Sequence, residues 1–557
     1  MFPNPIKERK NYVELKDGWD FSFDNVKWQK INVPYCPESK LSGIGYTDYI
    51  NECFYKTTFK AEKGETRTVL HFGAVDYKTC VFVNGKFVGT HVGGFTPFEF
   101  DVTDYIVDGD NKLFLQIFDN ELGKSAGGKQ CKERHSHGCF YTRTTGIWQP
   151  VWIERVPEKR IKNFYFYPDA DKAELKVELV TNNCGNYKAE VFFDGKPVGE
   201  ASGEVQYKTT FIVSLSEKKL WELGEGNLYD VKLTFEDDEV YSYFGLRKIG
   251  YDGYKFMFNG RSVFQRLVLD QGFYRDGVYT ATEEQLEKDI DISMALGFNG
   301  ARLHQKVFDP RFLYLCDKKG YMVWGEFPSW GVDYYDLDYL GTLISQWNEE
   351  IDRDFNHPSI ITWCPLNEVW VDIYDGRKIP DVRFIDAIYE FTKLKDPSRP
   401  CVDVSGGYHG HKTDVYDFHN YETVDVIKRI IKELDEKDEL NVHLLLAPKD
   451  AIRYSKGLPV NVSEYGGIAF GLKTQSREES WGYGEVETDE NAFLERFITY
   501  SNELYKSKKI SGICYTQLYD VEQEQNGLYT YDRTDKLSAE GKKKIYECIT
   551  QKSVIED

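Results

Sequence analysis

A chain of 557 residues, 41% hydrophobic and 15% aromatic, is too long for one core and apolar enough to fill several, so two to four globular domains are expected. Its formal net charge of −21 repels nucleic acid and anionic membranes, which excludes those partners and says nothing about a neutral one. Eleven scattered cysteines, and an N-terminus whose Lys7, Glu8, Arg9 and Lys10 leave no apolar run, predict a cytoplasmic protein with reduced thiols, no signal peptide and no membrane span.

Residues 1–156 read as short alternating strands: Cys53–Phe59, Val69–Phe72, Thr79–Val83, Phe98–Val102 and Lys112–Phe118. Asn84-Gly85 is a hairpin signal between two of them. Many strands with few helices predict a sandwich or jelly roll. The aromatic side chains suit contact with flat amphipathic ligands such as sugar rings, and equally the filling of sandwich cores. A polar, Gly-rich loop carries Cys131, His135, His137 and Cys139. Four such residues could hold zinc, but the spacing matches no common zinc module, so no metal is expected.

Residues 157–246 continue as strands: Ile161–Tyr167, Ala173–Thr181, Lys188–Phe193, Thr209–Val213 and Tyr229–Phe235. The spacing predicts an immunoglobulin-like sandwich. From 247 to 557 the pattern changes to short apolar strands alternating with amphipathic helices. Eight strands are predicted: Val263–Leu269, Gly300–His304, Met322–Glu326, Ile360–Pro365, Cys401–Val404, Val415–His419, Val460–Glu464 and Ile513–Leu518. Helices are predicted over Glu283–Leu296, Pro310–Lys319, Leu343–Phe355, Val382–Leu394 and Glu490–Lys506, with Thr282 and Gln285 as a capping box on the first. Together these imply a (β/α)₈ barrel.

A barrel of this kind places its active site at the C-terminal ends of its strands. Strand four runs out in Asn367-Glu368 and strand seven in Ser463-Glu464. Glu326, Arg302 and His304 end strands three and two. Strands four and seven are nearly opposite in a ring of eight, so two carboxylates can meet across its centre. Such a pair fits glycoside hydrolysis: one protonates the departing oxygen while the other attacks or stabilises the anomeric carbon. Either Glu alone is as well explained by a helix cap or an ion pair with Arg; the two together point to catalysis.

Asn-His-Pro-Ser-Ile-Ile at 356–361, followed by Asn367-Glu368, resembles the acid/base signature of glycoside hydrolase family 2, and Ser463-Glu464-Tyr465-Gly466 resembles its nucleophile motif. Gly94-Phe95-Thr96-Pro97-Phe98, Gly146-Ile147-Trp148, Leu296-Gly297-Phe298-Asn299 and Asn526-Gly527-Leu528 extend the likeness over nearly the whole chain. The resemblance implies a sugar-binding jelly roll, an immunoglobulin-like sandwich and a catalytic barrel, in that order. It implies Glu368 as general acid, then base, and Glu464 as the nucleophile of a retaining enzyme. Asn367 would bond the sugar 2-hydroxyl, Arg302 would hold Glu464 ionised, and Tyr421 would stand beside the nucleophile. His304 and His419 are candidate substrate contacts. Trp324, Trp363 and Tyr515 are candidates for the sugar's apolar face, Arg143 and Trp148 for contacts from the first domain, and Asp270 and Arg266 for sugar hydroxyls. Both sandwich domains are expected to narrow the pocket and favour terminal sugars.

The segment Trp324-Gly325-Glu326-Phe327-Pro328 lacks the acidic residues with which the family's large β-galactosidases hold magnesium. Asn526-Gly527-Leu528 lacks the Lys of the Asn-x-Lys with which its β-glucuronidases read a substrate carboxylate, though Arg266, Lys306 or Arg143 could replace that cation. The expectation is therefore an exo-acting retaining β-galactosidase without cofactor, acting on a glycan or glycoside. A β-hexuronidase (glucuronidase or galacturonidase) of the same mechanism, or a silent carbohydrate-binding protein, are the alternatives. A homo-oligomer is left open.

Overall fold

In the N-terminal part, alternating strands build two facing antiparallel sheets. Tyr12–Glu14, Val151–Val156, Arg67–Phe72 and Phe98–Asp101 form one; Gln29–Lys30, Asp20–Ser22, Glu52–Ala61, Gly109–Phe118, Lys78–Val83 and Lys86–Val92 form the other. The period of two sends Leu113, Leu115 and Ile117 inward, onto Leu70, Phe72 and Ile153 of the opposite sheet. The expected hairpin is present. Asn84 and Gly85 take φ of 51° and 77°, as a two-residue turn with left-handed central residues requires. The computed structural model describes residues 1–119, 124–371, 378–440, 442, 454–471 and 480–557.

In the middle of the chain, five strands form a second β-unit: Ile161–Asp169, Glu174–Phe193, Lys196–Ser214, Tyr229–Phe235 and Asp238–Phe244. Two expected strands merge into the 20-residue Glu174–Phe193. Its ladder breaks between Val180 and Cys184. The first half pairs with Ile161–Asp169 and the second with Tyr229–Phe235, so one long hairpin serves both halves of the unit.

The strands of the barrel are parallel. β1 (Gln265–Asp270), β2 (Gly300–Leu303), β3 (Met322–Glu326), β4 (Ile360–Cys364), β5 (Asn367–Val369), β6 (Ser405–Gly407), β7 (Tyr416–Asn420), β8 (Val460–Gly466) and β9 (Ile510–Thr516) follow in sequence. Seven of them form one curled sheet in the order β4-β3-β2-β1-β9-β8-β7. The gap between β4 and β7 is filled differently from the expected strand Cys401–Val404. Residues 400–402 bridge to Trp363 of β4, and β6 pairs with β5. Towards β7 the links are side chains: Ser405 Oγ with His419, and His409 Nε2 to the Asp417 carbonyl at 2.8 Å.

Around the sheet lie α1 (Glu283–Ala295), α2 (Pro310–Lys319), α3 (Leu340–Asp354), α4 (Val382–Lys395), α5 (Val424–Lys437), α6 (Glu490–Tyr505) and α7 (Ala539–Ile549). The Thr282/Gln285 capping box forms on α1. α5 was not expected, although Ile427, Ile430, Ile431 and Leu434 give it a buried stripe of helical period. No helix among the described residues is long and apolar enough to cross a membrane.

The second β-unit docks on α3: Tyr165 OH donates to Asp352 and Phe166 N to Asn356, both at 2.7 Å. Those residues precede β4, so the contact is at the N-terminal end of the barrel. The expectation that this unit narrows the mouth is corrected; only the first domain reaches it. There Gly127 N and Gly128 N donate to the Trp330 carbonyl, Tyr141 OH to Glu524, and Trp481 Nε1 to the Gly138 carbonyl.

Candidate active site

Arg302 organises the mouth. It leaves β2 fully buried, and its planar fork satisfies three elements at once. Nε donates to Glu326 Oε2 on β3 at 2.5 Å, Nη1 to Glu464 Oε1 on β8 at 2.8 Å, and Nη2 to Asn367 Oδ1 on β5. Tyr421, one residue past β7, donates its hydroxyl to Glu464 Oε2 and stacks on Tyr483 with ring centroids 3.6 Å apart. Both oxygens of Glu464 thus accept from fixed donors. Burial alone would raise its carboxyl. His419 and then Arg302 outweigh that and hold it at about 2, so Glu464 is ionised throughout the physiological range.

Glu368 faces it. One oxygen of Glu368, one of Glu464 and a ring nitrogen of His419 lie within 4.8 Å of one another. Among the described residues Glu368 is tied by one bond, Oε1 to His419 Nδ1 at 2.8 Å, and keeps 20% of its side chain exposed. Its backbone sits at φ 46°, a left-handed conformation costing a residue with a side chain about 1–2 kcal/mol. That turn aims the carboxyl into the mouth while Asn367 and Val369 on either side pair with β6. His419 spans the pair. Burial would lower its imidazole, but Glu464 and then Glu368 raise it, and Ser405 and Ser463 hold its Nε2 at 2.9 and 3.1 Å. A cation held on this trio would meet both the Arg302 guanidinium and this protonation-prone ring, so the charge around it favours protons over a metal ion.

Two further polar groups are unusual. Asn367 Nδ2 is buried without a hydrogen-bond partner among the described residues, although buried amides normally find one. His304 lies on Glu326, Nδ1 to Oε1 at 3.0 Å, and burial, then Lys129 and Arg302, push its ring well below the usual histidine range. Outside Glu368 a cavity of about 550 Å³ opens, walled by Phe140, Trp330, Tyr334, Tyr335 and Trp370, with Lys124, Lys132 and Lys378 on its rim.

Three family models match in succession: "Glycosyl hydrolases family 2, sugar binding domain" over residues 30–152, "Glycosyl hydrolases family 2" over 159–247, and "Glycosyl hydrolases family 2, TIM barrel domain" over 255–551. The chain belongs to glycosyl hydrolase family 2. It is 25% identical over 452 residues to a putative beta-glucuronidase of Formosa agariphila, covering 75% of this chain and 53% of that one. It is 27% identical over 419 residues to a beta-galactosidase of Thermoanaerobacter pseudethanolicus, covering 70% and 53%. The chain therefore spans about half the length of the curated relatives it matches. Among solved structures, a beta-galacturonidase from Eisenbergiella tayi bound to galacturonate superposes with TM-score 0.77 at 19% identity, covering 98% of each chain. A beta-D-glucuronidase of Dictyoglomus thermophilum gives 0.79 at 20%, covering 99% of each. These likenesses confirm the three-part fold of the family.

Of the expected site residues, Glu368, Glu464, Asn367, Arg302, His304, His419 and Tyr421 come together. Five others lie elsewhere. Trp324 is fully buried inside the barrel, two residues deeper than Glu326, with Nε1 on Gln265 at 2.9 Å. Tyr515 packs on Tyr465 and on Phe497 of α6, in the core. Trp148 seals the joint between the first domain and the barrel, donating to the Gly94 carbonyl at 2.7 Å. Arg143 ties down its own loop through the carbonyls of Glu133, Cys131 and Thr47. Asp270 accepts from Gly272 N and Tyr519 OH after β1, and burial, then Asp289, raises it to about 6.

Trp363 likewise faces Trp347 and Asp396 in the core. Arg266 is at the N-terminal end of β1, bonded to Glu556. Cys131 Sγ lies 3.3 Å from His137 Nδ1, but the Cys/His loop gathers no third ligand among the described residues.

Sequence reasoning missed Lys129, Glu524, Trp330 and Tyr483. Lys129 and Trp330 meet at the mouth, the ammonium 4.5 Å from the ring centroid, and Trp330 Nε1 donates to the Asn367 carbonyl at 3.1 Å. Glu524 accepts from Tyr141 OH at 2.5 Å and Asn526 Nδ2 at 3.0 Å. The available signals were Gly127-Gly128 just ahead of Lys129, and the position of Glu524 two residues before the motif at Asn526.

Proposed function

We propose that this chain is a retaining exo-β-glycosidase that releases a terminal sugar by double displacement, with Glu464 as nucleophile and Glu368 as acid/base. One observation carries the reading: an oxygen of each carboxylate lies within 4.8 Å of the other. Retaining enzymes hold their carboxyls about 5–5.5 Å apart, whereas inverting ones need roughly 6.5–9.5 Å to admit a water between them.

The asymmetry of the pair supports this division of roles. Glu464, gripped by Arg302 and Tyr421, is held as the anion that attacks the anomeric carbon. Glu368, bonded among the described residues by His419 alone and open to the 550 Å³ cavity, would give its proton to the leaving oxygen and later take one from water. Asn367 Nδ2, unpaired in the buried site, is a ready donor to the sugar 2-hydroxyl. The first domain's loop over the mouth favours a chain end over an internal unit. Relatives named beta-galactosidase and putative beta-glucuronidase support a galactoside or a hexuronide as the sugar.

The test is the stereochemistry of turnover. Proton NMR of a hydrolysing aryl β-glycoside will show the β-anomer of the free sugar first, and Glu464→Gln will lose turnover by roughly 10⁴-fold or more. An α-anomer formed first, or normal turnover by Glu464→Gln, defeats the assignment.

A further inference from the structure

Lys129 stands out among the charged groups of the mouth. It sits on the loop that the first domain lays over the barrel and is only 6% exposed. Its ammonium rests over Trp330, in the combined field of Glu524, Glu464 and Glu368. Among the described residues it makes no side-chain hydrogen bond and no ion pair within 4.0 Å. A buried ammonium without a bonded partner is costly, so such a group is normally completed by something.

The placement is built. Gly127 N and Gly128 N donate to the Trp330 carbonyl, and Tyr141 N donates to the Lys129 carbonyl at 2.8 Å. Gln130 Nε2 bonds Asp76 at 2.7 Å. Gly128 has φ +56°, and a Cβ there would lie 2.2 Å from the Gln305 carbonyl oxygen. Only glycine lets the loop come this close and deliver the next residue to the site.

The other cations considered for reading an anion are occupied. Arg266 is at the far end of the barrel, and Arg143 holds its own loop. Lys306 donates to the Gly272 and Tyr279 carbonyls inside a cage of aromatic rings. Arg302 is saturated by Glu326, Glu464 and Asn367.

We infer that Lys129 binds a carboxylate carried by the terminal sugar, so that the sugar released is a β-hexuronide and not a neutral hexoside. This rests on the glycosidase reading above and names its sugar. Asn526, whose neighbour Leu528 stands where the family's uronate-reading Lys is expected, here bonds Glu524. The cation is supplied from the first domain instead. Glu524 is the competing anion. Burial raises its carboxyl, and Tyr141 and Asn526 already hold its two oxygens, so it leaves the ammonium free for a ligand. A neutral sugar hydroxyl could also accept from Lys129, but would leave the buried charge uncompensated.

The experiment uses the full chain and four nitrophenyl β-glycosides: galacturonide, glucuronide, galactoside and glucoside. The expected result is a preference for one uronide over its neutral counterpart. Lys129→Met then lowers kcat/KM for that uronide by roughly 10- to 150-fold, the loss of one charge-assisted bond, and leaves neutral glycosides within about threefold. Lys129→Arg restores part of the uronide rate, and Lys129→Met melts no lower than the unaltered chain, since it removes an uncompensated buried charge. Preference for galactoside or glucoside in the unaltered chain overturns the inference. So does an equal loss on uronide and neutral substrates in Lys129→Met, which marks Lys129 as a general contact. Cleavage of no glycoside defeats the parent reading. Calorimetry with free galacturonate and galactose then decides this one: uronate binding abolished by Lys129→Met supports it, and equal binding of both sugars overturns it.

Discussion

Truncating Glu368 to alanine separates the two half-reactions. The substitution removes a carboxyl bonded to His419 at 2.8 Å and within 4.8 Å of Glu464, and leaves the Arg302 and Tyr421 contacts of the nucleophile untouched. With a dinitrophenyl glycoside of the preferred sugar, the leaving group departs without a proton, so the covalent intermediate still forms. Its hydrolysis lacks the general base. Such catalysis contributes about 10²–10⁴-fold, or ~2.7–5.4 kcal/mol at ~1.36 kcal/mol per decade. Stopped-flow absorbance will therefore show a burst of dinitrophenolate equal to the enzyme, then a steady state slowed by that factor. Azide needs no base. The vacated space faces His419, which Glu464 still favours in its charged form, so a small anion is drawn there. Millimolar azide will raise kcat by roughly tenfold or more, and the product will be the β-glycosyl azide. An α-azide, a missing burst or indifference to azide refutes the reasoning.

Asn367→Ala removes the unpaired Nδ2 donor together with the Oδ1 that accepts from Arg302. It will cost roughly 10- to 100-fold more in kcat/KM on a 2-hydroxy substrate than on its 2-deoxy analogue, the loss on the latter reporting the Arg302 bond; equal losses on both would exclude a bond to the 2-hydroxyl. Arg302→Gln removes the second-largest lowering influence on Glu464, whose carboxyl stands at about 2. Losing that cation disfavours the carboxylate, so protonation moves to higher pH. The acid limb of the kcat/KM profile will rise by a unit or more, roughly 1.4 kcal/mol or more of lost carboxylate stabilisation, and stability will fall by about 3–5 kcal/mol because Glu326 is left a buried unpaired charge. An unmoved limb in folded variant, checked by circular dichroism, contradicts the role.

What could be read in the sequence was local and periodic. The barrel strands announce themselves as apolar runs, and Glu368, Glu464 and Arg302 stand at their ends, where topology makes side chains converge. The same rule misplaced Trp324 and Tyr515. Both are on the right strands, but one lies deeper inside the barrel and the other faces α6, a distinction that needs the tilt and stagger of neighbouring strands. The expected strand Cys401–Val404 failed because its β7 side is closed by Ser405 and His409 side chains, which no backbone periodicity reports. Lys129 was hidden for a further reason. Nothing in a polar loop of the first domain says that it will lie against a barrel more than a hundred residues downstream; the bonds of Gly127 and Gly128 to the Trp330 carbonyl and the close approach of Gly128 to Gln305 fix that. The proposed catalytic pair is thus written into one domain, while the group we infer to choose the sugar is lent by another. Exchanging that loop should alter which sugar is accepted and leave the double displacement intact.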